Sequence, residues 1–136
     1  MPAPNPPFTS TTMPIAGSPC APAGVEWVVD ANGCDPARLR SRAVLEPLLH
    51  AVITDHGLTI VGAPVWHDFP GHAGVTAIYL LAESHLSCHT YPEHGLAAFN
   101  LYCCRECPDW PWQERLADVL GARQVRLQRI ARGGGP

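Results

Sequence analysis

The sequence has few charged residues and no excess of basic ones. Only 15% of its 136 residues are charged, and the formal net charge is −3. Surfaces that bind nucleic acids need clustered cations to meet the phosphates, so the composition argues against a nucleic-acid partner. The length predicts one domain, which is small for an enzyme that must enclose a large substrate.

Long apolar runs are also missing. No stretch approaches the ~20 apolar residues that a membrane-spanning helix needs, and the N-terminus has neither the basic start nor the apolar segment of a signal peptide. We therefore expect a cytoplasmic protein with no membrane partner. In that compartment the six cysteines are expected to be reduced thiols, metal ligands or catalysts rather than disulfides.

Both ends of the chain lack periodic hydrophobic patterning. Residues 1–24 contain seven prolines and a Thr/Ser cluster, a composition typical of a disordered tail. Residues 131–136 are rich in glycine and are expected to be flexible. The folded domain is therefore predicted to span residues 25–130.

The predicted elements follow the order strand, helix, several strands, helix, strand. The first helix should begin after the N-cap Asp35 and end before Gly57, and Pro47 should kink or divide it. Residues 75–82 are almost wholly apolar and predict a central, covered strand. Other strands are predicted at 25–31, 58–69 (broken by Gly62 and Pro64), 86–91, 96–103 and 123–130, and a second helix at 109–120. This order predicts an α+β fold, a two-layer sandwich with one mostly antiparallel sheet packed by helices.

Reactive side chains are densest in residues 83–104. Residues 83–95 read Glu-Ser-His-Leu-Ser-Cys-His-Thr-Tyr-Pro-Glu-His-Gly, and a second hydrophobic run ends in the pair Cys103 and Cys104. Pro92 and Gly95 mark a turn between the two runs. The pattern therefore predicts two adjacent strands that carry reactive groups.

This segment resembles the self-processing segment of bacterial S-adenosylmethionine decarboxylases. The shared features are Glu-Ser-His at 83–85, a histidine five residues beyond the serine, Thr-aromatic-Pro-Glu at 90–93, then Ala-Ala and a strand that ends in cysteine. A weaker similarity extends from about residue 25 to about residue 130. The resemblance implies an enzyme that makes its own cofactor by cutting its chain.

The implied cleavage site is the bond between Glu83 and Ser84, which would give a β chain of residues 1–83 and an α chain of residues 84–136. The resemblance makes Ser84 the pyruvoyl precursor and His89 the proton-transfer residue of processing. A serine hydroxyl held against the preceding carbonyl converts the amide to an ester by an N-to-O acyl shift. Elimination and hydrolysis then leave a pyruvoyl group and ammonia, with no external cofactor.

A pyruvoyl group supplies the electron sink that a decarboxylase needs. Its ketone forms an imine, a Schiff base, with a substrate amine, and the adjacent carbonyl accepts electrons as carbon dioxide leaves. The resemblance implies Cys104 as the proton donor in decarboxylation, and a reference thiol pKa of roughly 8.5 keeps such a group protonated at neutral pH. The implied product is decarboxylated S-adenosylmethionine, the aminopropyl donor for spermidine synthesis.

Further residues are implied around the substrate. Phe69 and Tyr91 are candidates for stacking on adenine, and Glu93 for accepting hydrogen bonds from ribose hydroxyls. Thr76 stands where a helper serine of processing is common, and it keeps the hydroxyl. The resemblance also implies a homodimer of cleaved protomers, and an active site shared across it would compensate for the small size of the chain.

The sequence departs from the family pattern beside the implied proton donor. Asn100 stands where an acidic residue is usual, Cys103 where threonine is usual, and Arg105 where glycine is usual. A cation such as Arg105 would disfavour a sulfonium substrate nearby. The alternative substrates for the same pyruvoyl chemistry are therefore arginine and ornithine.

Two patterns suggest a metal site, but we predict none. His85 and His89 have the spacing of helical ligands, yet four residues of a strand span ~13 Å, too far for two ligands of one ion. Cys104 and Cys107 form a CxxC with no second CxxC to complete a four-cysteine site. The last alternative is a non-cleaving relative that binds a ligand, or zinc through Cys103, Cys104 and Cys107.

Overall fold

The computed structural model describes residues 23–133. The predicted disorder of residues 1–22 and of residues 134–136 lies outside this range. At both ends the strands extend beyond the predicted domain boundaries, because the first strand begins at Ala23 and the last runs through Gly133, its partner in the sheet.

Residues 23–133 form one six-stranded antiparallel sheet and three α-helices, which confirms the predicted α+β class. The strands lie in the order β2-β3-β4-β5-β1-β6, and every neighbouring pair is antiparallel. The elements, in chain order, are β1 (Ala23–Asn32), α1 (Pro36–Leu39), α2 (Arg42–Asp55), β2 (Val65–Asp68), β3 (Val75–Leu81), β4 (Ser84–Tyr91), β5 (Leu96–Cys103), α3 (Trp112–Leu120) and β6 (Gln124–Gly133). A 3₁₀ turn at Pro92–His94 joins β4 to β5.

The helices pack on one side of the sheet, which we call the covered face. Alternate strand residues point into this layer and are buried with the apolar side of α2. The largest contributors are the strand residues Val25, Trp27, Val29, Tyr79, Leu86, Phe99 and Leu101 and the helical residues Leu45, Leu48, Leu49, Val52, Ile53, Trp112 and Leu116. The opposite side, the open face, has no layer over it among residues 23–133.

The prediction that β3 is central and covered was wrong. β3 is second from the edge, and only its alternate residues are buried. On the open face Ile78 is 48% exposed and Leu80 is 58% exposed. The strand is apolar on both sides, although residues 23–133 cover only one of them.

The first helix is divided, but not at Pro47. Asp35 caps α1 as predicted, and its side chain accepts a hydrogen bond from the backbone N–H of Ala37. The chain then breaks at Ser41, which accepts a hydrogen bond from the N–H of Val44 and caps α2. Pro47 lies inside α2, where its missing N–H removes one helical hydrogen bond without ending the helix.

The predicted strand at residues 58–69 is much shorter in the structure. Only Val65–Asp68 forms a strand, and it lies at the sheet edge, where the interruptions at Gly62 and Pro64 are tolerated. Ile60 makes a single bridge to Leu81. This bridge holds the connecting segment against the end of β3 that leads to the predicted cleavage site.

Candidate active site

The predicted cleavage bond lies in a tight β-hairpin turn. β3 ends at Leu81, β4 begins at its cross-strand partner Ser84, and only two residues lie between them. The N–H of Ala82 in this turn donates to the carbonyl of Thr59 at 2.9 Å. The bond between Glu83 and Ser84 is therefore held on a short, constrained connection.

The carbonyl of Glu83 is hydrogen-bonded to the backbone of Cys104. The Cys104 N–H donates to it at 2.8 Å. Ser84 is buried, and its Oγ has no hydrogen-bond partner. A buried hydroxyl without a partner is costly to keep, so the structure places an unpaired oxygen nucleophile next to a polarised carbonyl.

An arginine bridges the cleavage turn to the end of α2. Arg105 Nε lies 3.4 Å from a carboxylate oxygen of Glu83, and Arg105 Nη2 donates to the carbonyl of Gly57 at 3.3 Å. Both charged side chains are about half exposed, and exposed ion pairs contribute little to stability. Arg105 therefore links the cleavage turn to the residues after α2 without contributing much to stability.

The cysteines near the turn differ in accessibility. Cys104 is exposed, whereas Cys88, Cys103 and Cys107 are buried. Burial raises the pKa of Cys88 to about 12. Burial, with the neighbouring Cys107 thiol, raises the pKa of Cys103 to about 12. Cys104 is thus the accessible thiol beside the cleavage turn.

Within residues 23–133, no three His, Cys, Asp or Glu side chains are arranged to hold a metal ion.

Over the same range, none of the helices combines the length and the apolar character needed to cross a membrane.

A second group of predicted residues lines a cavity of about 270 Å³ at the end of β4 opposite to Ser84. It contains the predicted processing pair, because Thr76 and His89 are cross-strand partners and Thr76 Oγ1 lies 3.1 Å from His89 Nδ1. The predicted substrate-binding residues Phe69, Tyr91 and Glu93 line the same cavity. Sequence reasoning missed the other lining residues, Pro70, His72, Gly74 and Thr90; the Pro-Gly-His-Ala-Gly turn at 70–74 was the available signal.

Thr90 has a structural role in this motif. Its Oγ1 donates to the carbonyl of Leu39 at 2.8 Å and accepts from the N–H of Val75 at 2.9 Å. The threonine therefore ties β4 to both α1 and β3. This anchoring fixes the strand that carries His89.

The structure separates the two groups within the chain. Glu83, Ser84 and Cys104 form the cleavage end of β4, and the cavity residues form the cavity end. Ser84 and His89 are five residues apart on one strand, which corresponds to about 16 Å. Their side chains also point to opposite sides of the sheet. Ser84 and His89 belong to one sequence motif, but within one protomer they are not in contact.

A polar network lies on the open face beside these two ends. The Glu26 carboxylate accepts a hydrogen bond from Asn100 Nδ2 at 2.7 Å and another from Arg132. The Asn100 hydrogen bond, followed by the Arg132 interactions, lowers the pKa of Glu26 below its ordinary value. His85 stacks on Tyr102 with ring centroids 5.5 Å apart. The open face therefore combines exposed apolar side chains with organised polar ones.

Comparison with known proteins places the chain in a family. A model of S-adenosylmethionine decarboxylase matches residues 25–133. The chain belongs to the S-adenosylmethionine decarboxylase family. The family resemblance of the Glu-Ser-His segment is thereby confirmed.

Individual members of the S-adenosylmethionine decarboxylase family align with most of this chain. The S-adenosylmethionine decarboxylase proenzyme of Parasynechococcus marenigrum is 38% identical over 108 residues, covering 79% of this chain and 80% of the relative. The proenzyme of the same name from Thermotoga maritima is 34% identical over 112 residues, with 81% and 84% covered. The crystal structure of the adenosylmethionine decarboxylase from Aquifex aeolicus superposes with a TM-score of 0.67 at 27% identity, covering 85% of this chain and 94% of that one.

Proposed function

We propose that this chain cuts its own Glu83–Ser84 bond and that the processed protein decarboxylates S-adenosylmethionine. The observation that carries the proposal is the 2.8 Å hydrogen bond from the Cys104 N–H to the Glu83 carbonyl, beside the buried and unpaired Ser84 hydroxyl. The relatives described above are named proenzymes of this decarboxylase.

The local geometry supports the first step of cleavage. Ser84 Oγ attacks the carbonyl carbon of Glu83, and the negative charge that develops on the carbonyl oxygen is stabilised by the Cys104 N–H. The C–N bond then breaks, the nitrogen takes up the hydroxyl proton, and an ester joins Glu83 to the Ser84 side chain. Because the donor is a backbone group fixed by the β4–β5 pairing, it needs no reorganisation.

The second step requires a base at the α carbon of Ser84. Removal of that proton expels the Glu83 carboxylate and leaves a dehydroalanine at residue 84, which adds water and loses ammonia to give the pyruvoyl group. The Ser84 position fits this group, because it is buried and becomes the first residue of a strand paired with Cys103. When formed, the pyruvoyl group supplies a ketone that condenses with the substrate amine and takes up the electron pair left by carbon dioxide. The exposed thiol of Cys104 then returns a proton to the substrate carbon.

We further propose a homodimer in which His89 of one protomer serves Ser84 of the other. A general base must lie within about 3 Å of the proton it removes, or reach it through one water, and His89 is about 16 Å from Ser84 of its own chain. The open face presents the apolar side chains of Ile78, Leu80 and Ile130, which favours burial against a second copy. Two open faces related by a twofold axis would bring the cavity end of one chain to the cleavage end of the other.

The cavity supports a nucleoside substrate over arginine or ornithine. Phe69 and Tyr91 offer aromatic rings, and Glu93 offers a carboxylate that suits ribose hydroxyls. Arginine and ornithine carry neither a purine nor a ribose. The product would be the aminopropyl donor for spermidine synthesis, and the need for a free Cys104 thiol supports a reducing, cytoplasmic location.

Intact mass under denaturing conditions tests the cleavage. The wild type should give two chains, residues 1–83 and residues 84–136, and Ser84→Ala should give one. Carbon dioxide release from S-adenosylmethionine, compared with arginine and ornithine, then tests the substrate. Reductive trapping of the substrate amine should add mass only to the C-terminal fragment, since that fragment would carry the pyruvoyl ketone with which the amine forms an imine. One uncut wild-type chain would overturn the proposal.

Coexpression of two inactive variants tests the shared site. Ser84→Ala keeps His89, and His89→Ala keeps Ser84, so neither homodimer should cleave. In mixed dimers the His89→Ala chain should be cut, because its partner supplies the histidine. The shared site is excluded if the His89→Ala chain stays whole in purified mixed dimers, or if it cleaves alone at the wild-type rate.

A further inference from the structure

We infer that His67 is a positioning residue for the substrate, because its imidazole holds the ring of Phe69 at the wall of the cavity. This inference rests on the proposed function. The two rings are nearly perpendicular, at 88°, and their centroids are 4.6 Å apart. His67 does not line the cavity itself, whereas Phe69 does.

Phe69 has little other support for its ring. It is 49% exposed and follows directly after β2, the strand at the edge of the sheet. Its N–H donates to the carbonyl of Gly74 at 2.8 Å, which holds the backbone but leaves the side-chain torsions free. Within residues 23–133, His67 contributes the one aromatic ring packed against it.

The sequence spacing explains why the two rings meet. Residues two apart on an extended strand point to the same side of the sheet, so the side chain at 69 lies over the side chain at 67. The pair belongs to the open face, because His67 is the cross-strand partner of Thr76. An edge-on aromatic contact restricts the tilt of Phe69 and leaves the rest of its surface to the cavity.

His67 also stands next to the processing pair, and this raises a second possible role. Thr76 lies between His67 and His89 in the strand register, so a proton could pass along the row. Within residues 23–133, however, the His67 side chain makes no hydrogen bond to the Thr76 side chain, while its ring contacts Phe69 directly. The geometry therefore points to substrate binding rather than to cleavage.

The class of ligand that benefits from a fixed Phe69 ring is a flat heterocycle. A purine stacks on an aromatic side chain only if that ring is held parallel to it, and a freely rotating phenyl loses rotamer entropy when the base binds. A ring already fixed by His67 avoids this cost. His67 is thus expected to strengthen binding of the adenosine part of the substrate and to leave the chemistry at the reacting carbon unchanged.

The test compares three variants of the full-length protein. His67→Ala removes the contact, His67→Phe keeps a perpendicular ring, and His50→Ala is the matched control. His50 makes a similar perpendicular contact with Tyr79, at 5.6 Å and 85°, away from the cavity. We measure KM and kcat per cleaved protomer, the rate of self-cleavage, and the Kd of 5′-methylthioadenosine, which has the adenosine part but no amine or carboxylate.

We expect His67→Ala to raise KM and the Kd of the nucleoside by about two- to tenfold, the range of one aromatic pair. Cleavage rate and kcat should stay at wild-type values. His67→Phe should bind within about twofold of wild type, and His50→Ala should not change binding.

Two results would overturn the inference. In the first, His67→Ala binds the nucleoside as tightly as wild type. In the second, it slows cleavage with KM unchanged, which would assign His67 to the Thr76–His89 pair. A wild type that cleaves but releases no carbon dioxide from S-adenosylmethionine would instead contradict the proposed function, and the nucleoside Kd would still report on the His67 contact.

Discussion

The covered and open faces of the sheet are built from alternate residues of the same strands, yet they serve different purposes. On the covered face, Trp27, Tyr79 and Leu86 are almost completely buried. On the open face, Ile78 and Leu80 are about half exposed, near the polar network and the cavity. The covered face stabilises the protomer, and we propose that the open face carries the cavity together with the surface for a second copy. The following predictions test this division.

The largest contrast should be in cysteine reactivity. Thiolates react with iodoacetamide, and a thiol whose pKa is about 12, as for Cys88 and Cys103, is ionised in only about one molecule in ten thousand at pH 8. Cys107 is buried and so inaccessible to the reagent, and the C-terminal fragment of the folded protein should therefore gain one adduct, at Cys104, by peptide mass analysis. Cys104→Ser should gain none. Comparable labelling of Cys88 in the folded protein would show that the covered face is not closed.

Truncating matched leucines should separate the faces energetically. Leu86→Ala empties a fully buried position and should lower the free energy of unfolding by about 2–5 kcal/mol. Leu80→Ala removes a half-exposed side chain from the neighbouring strand and should cost less than about 1 kcal/mol in the monomer. Urea denaturation of both variants in the uncleavable Ser84→Ala background measures the difference. Equal costs at low protein concentration would contradict the division.

A charge on the open face should prevent association. Leu80→Arg should give a monomer by analytical ultracentrifugation and slow self-cleavage by at least about tenfold, because burying an unpaired charge opposes dimer formation. Leu127→Arg, which changes a similarly exposed leucine on the covered side of the edge strand β6, should leave both properties unchanged. A monomeric Leu80→Arg that cleaves at the wild-type rate would argue against the shared active site.

The smallest effect concerns the polar network. The lowered pKa of Glu26 stabilises the folded state above the ordinary carboxyl pKa of 4.5, and this contribution is lost as the pH falls through the folded-state pKa. Asn100→Ala removes the largest cause and should destabilise by about 1 kcal/mol at pH 7, and by less at pH 3. Unfolding at both pH values, with NMR titration of Glu26, measures this. An equal loss at both would indicate packing instead.

Local rules anticipated most of the fold. Alternation located the strands, and the caps at Asp35 and Gly57 marked the helix ends correctly. The break at Ser41 was missed because Pro47 is the stronger helix breaker in isolation. A serine cap that accepts a hydrogen bond from the Val44 N–H decides the boundary, and this cap is a local signal that the sequence carried.

The candidate site was harder to predict because sequence spacing is not distance. The strand geometry that excludes a metal shared by His85 and His89 also separates Ser84 from His89. The Thr76–His89 contact depends on the register of β3 against β4, which residue patterns alone do not show. The apolar character of β3 on both sides predicted burial on both, whereas residues 23–133 cover only one side.

The strand order has a consequence for the life of the protein. β1, β2 and β3 belong to the fragment before Ser84, whereas β4, β5 and β6 belong to the fragment after it, and β1 is hydrogen-bonded between β5 and β6. If the chain is cut as we propose, the two fragments are interleaved and separate only when the ladders on both sides of β1 and the β3–β4 ladder break. Folding of the intact chain is unimolecular, but refolding of the cut protein requires two chains to meet, so its recovery depends on concentration. We therefore expect a cut protein to persist through slow unfolding rather than through ready refolding.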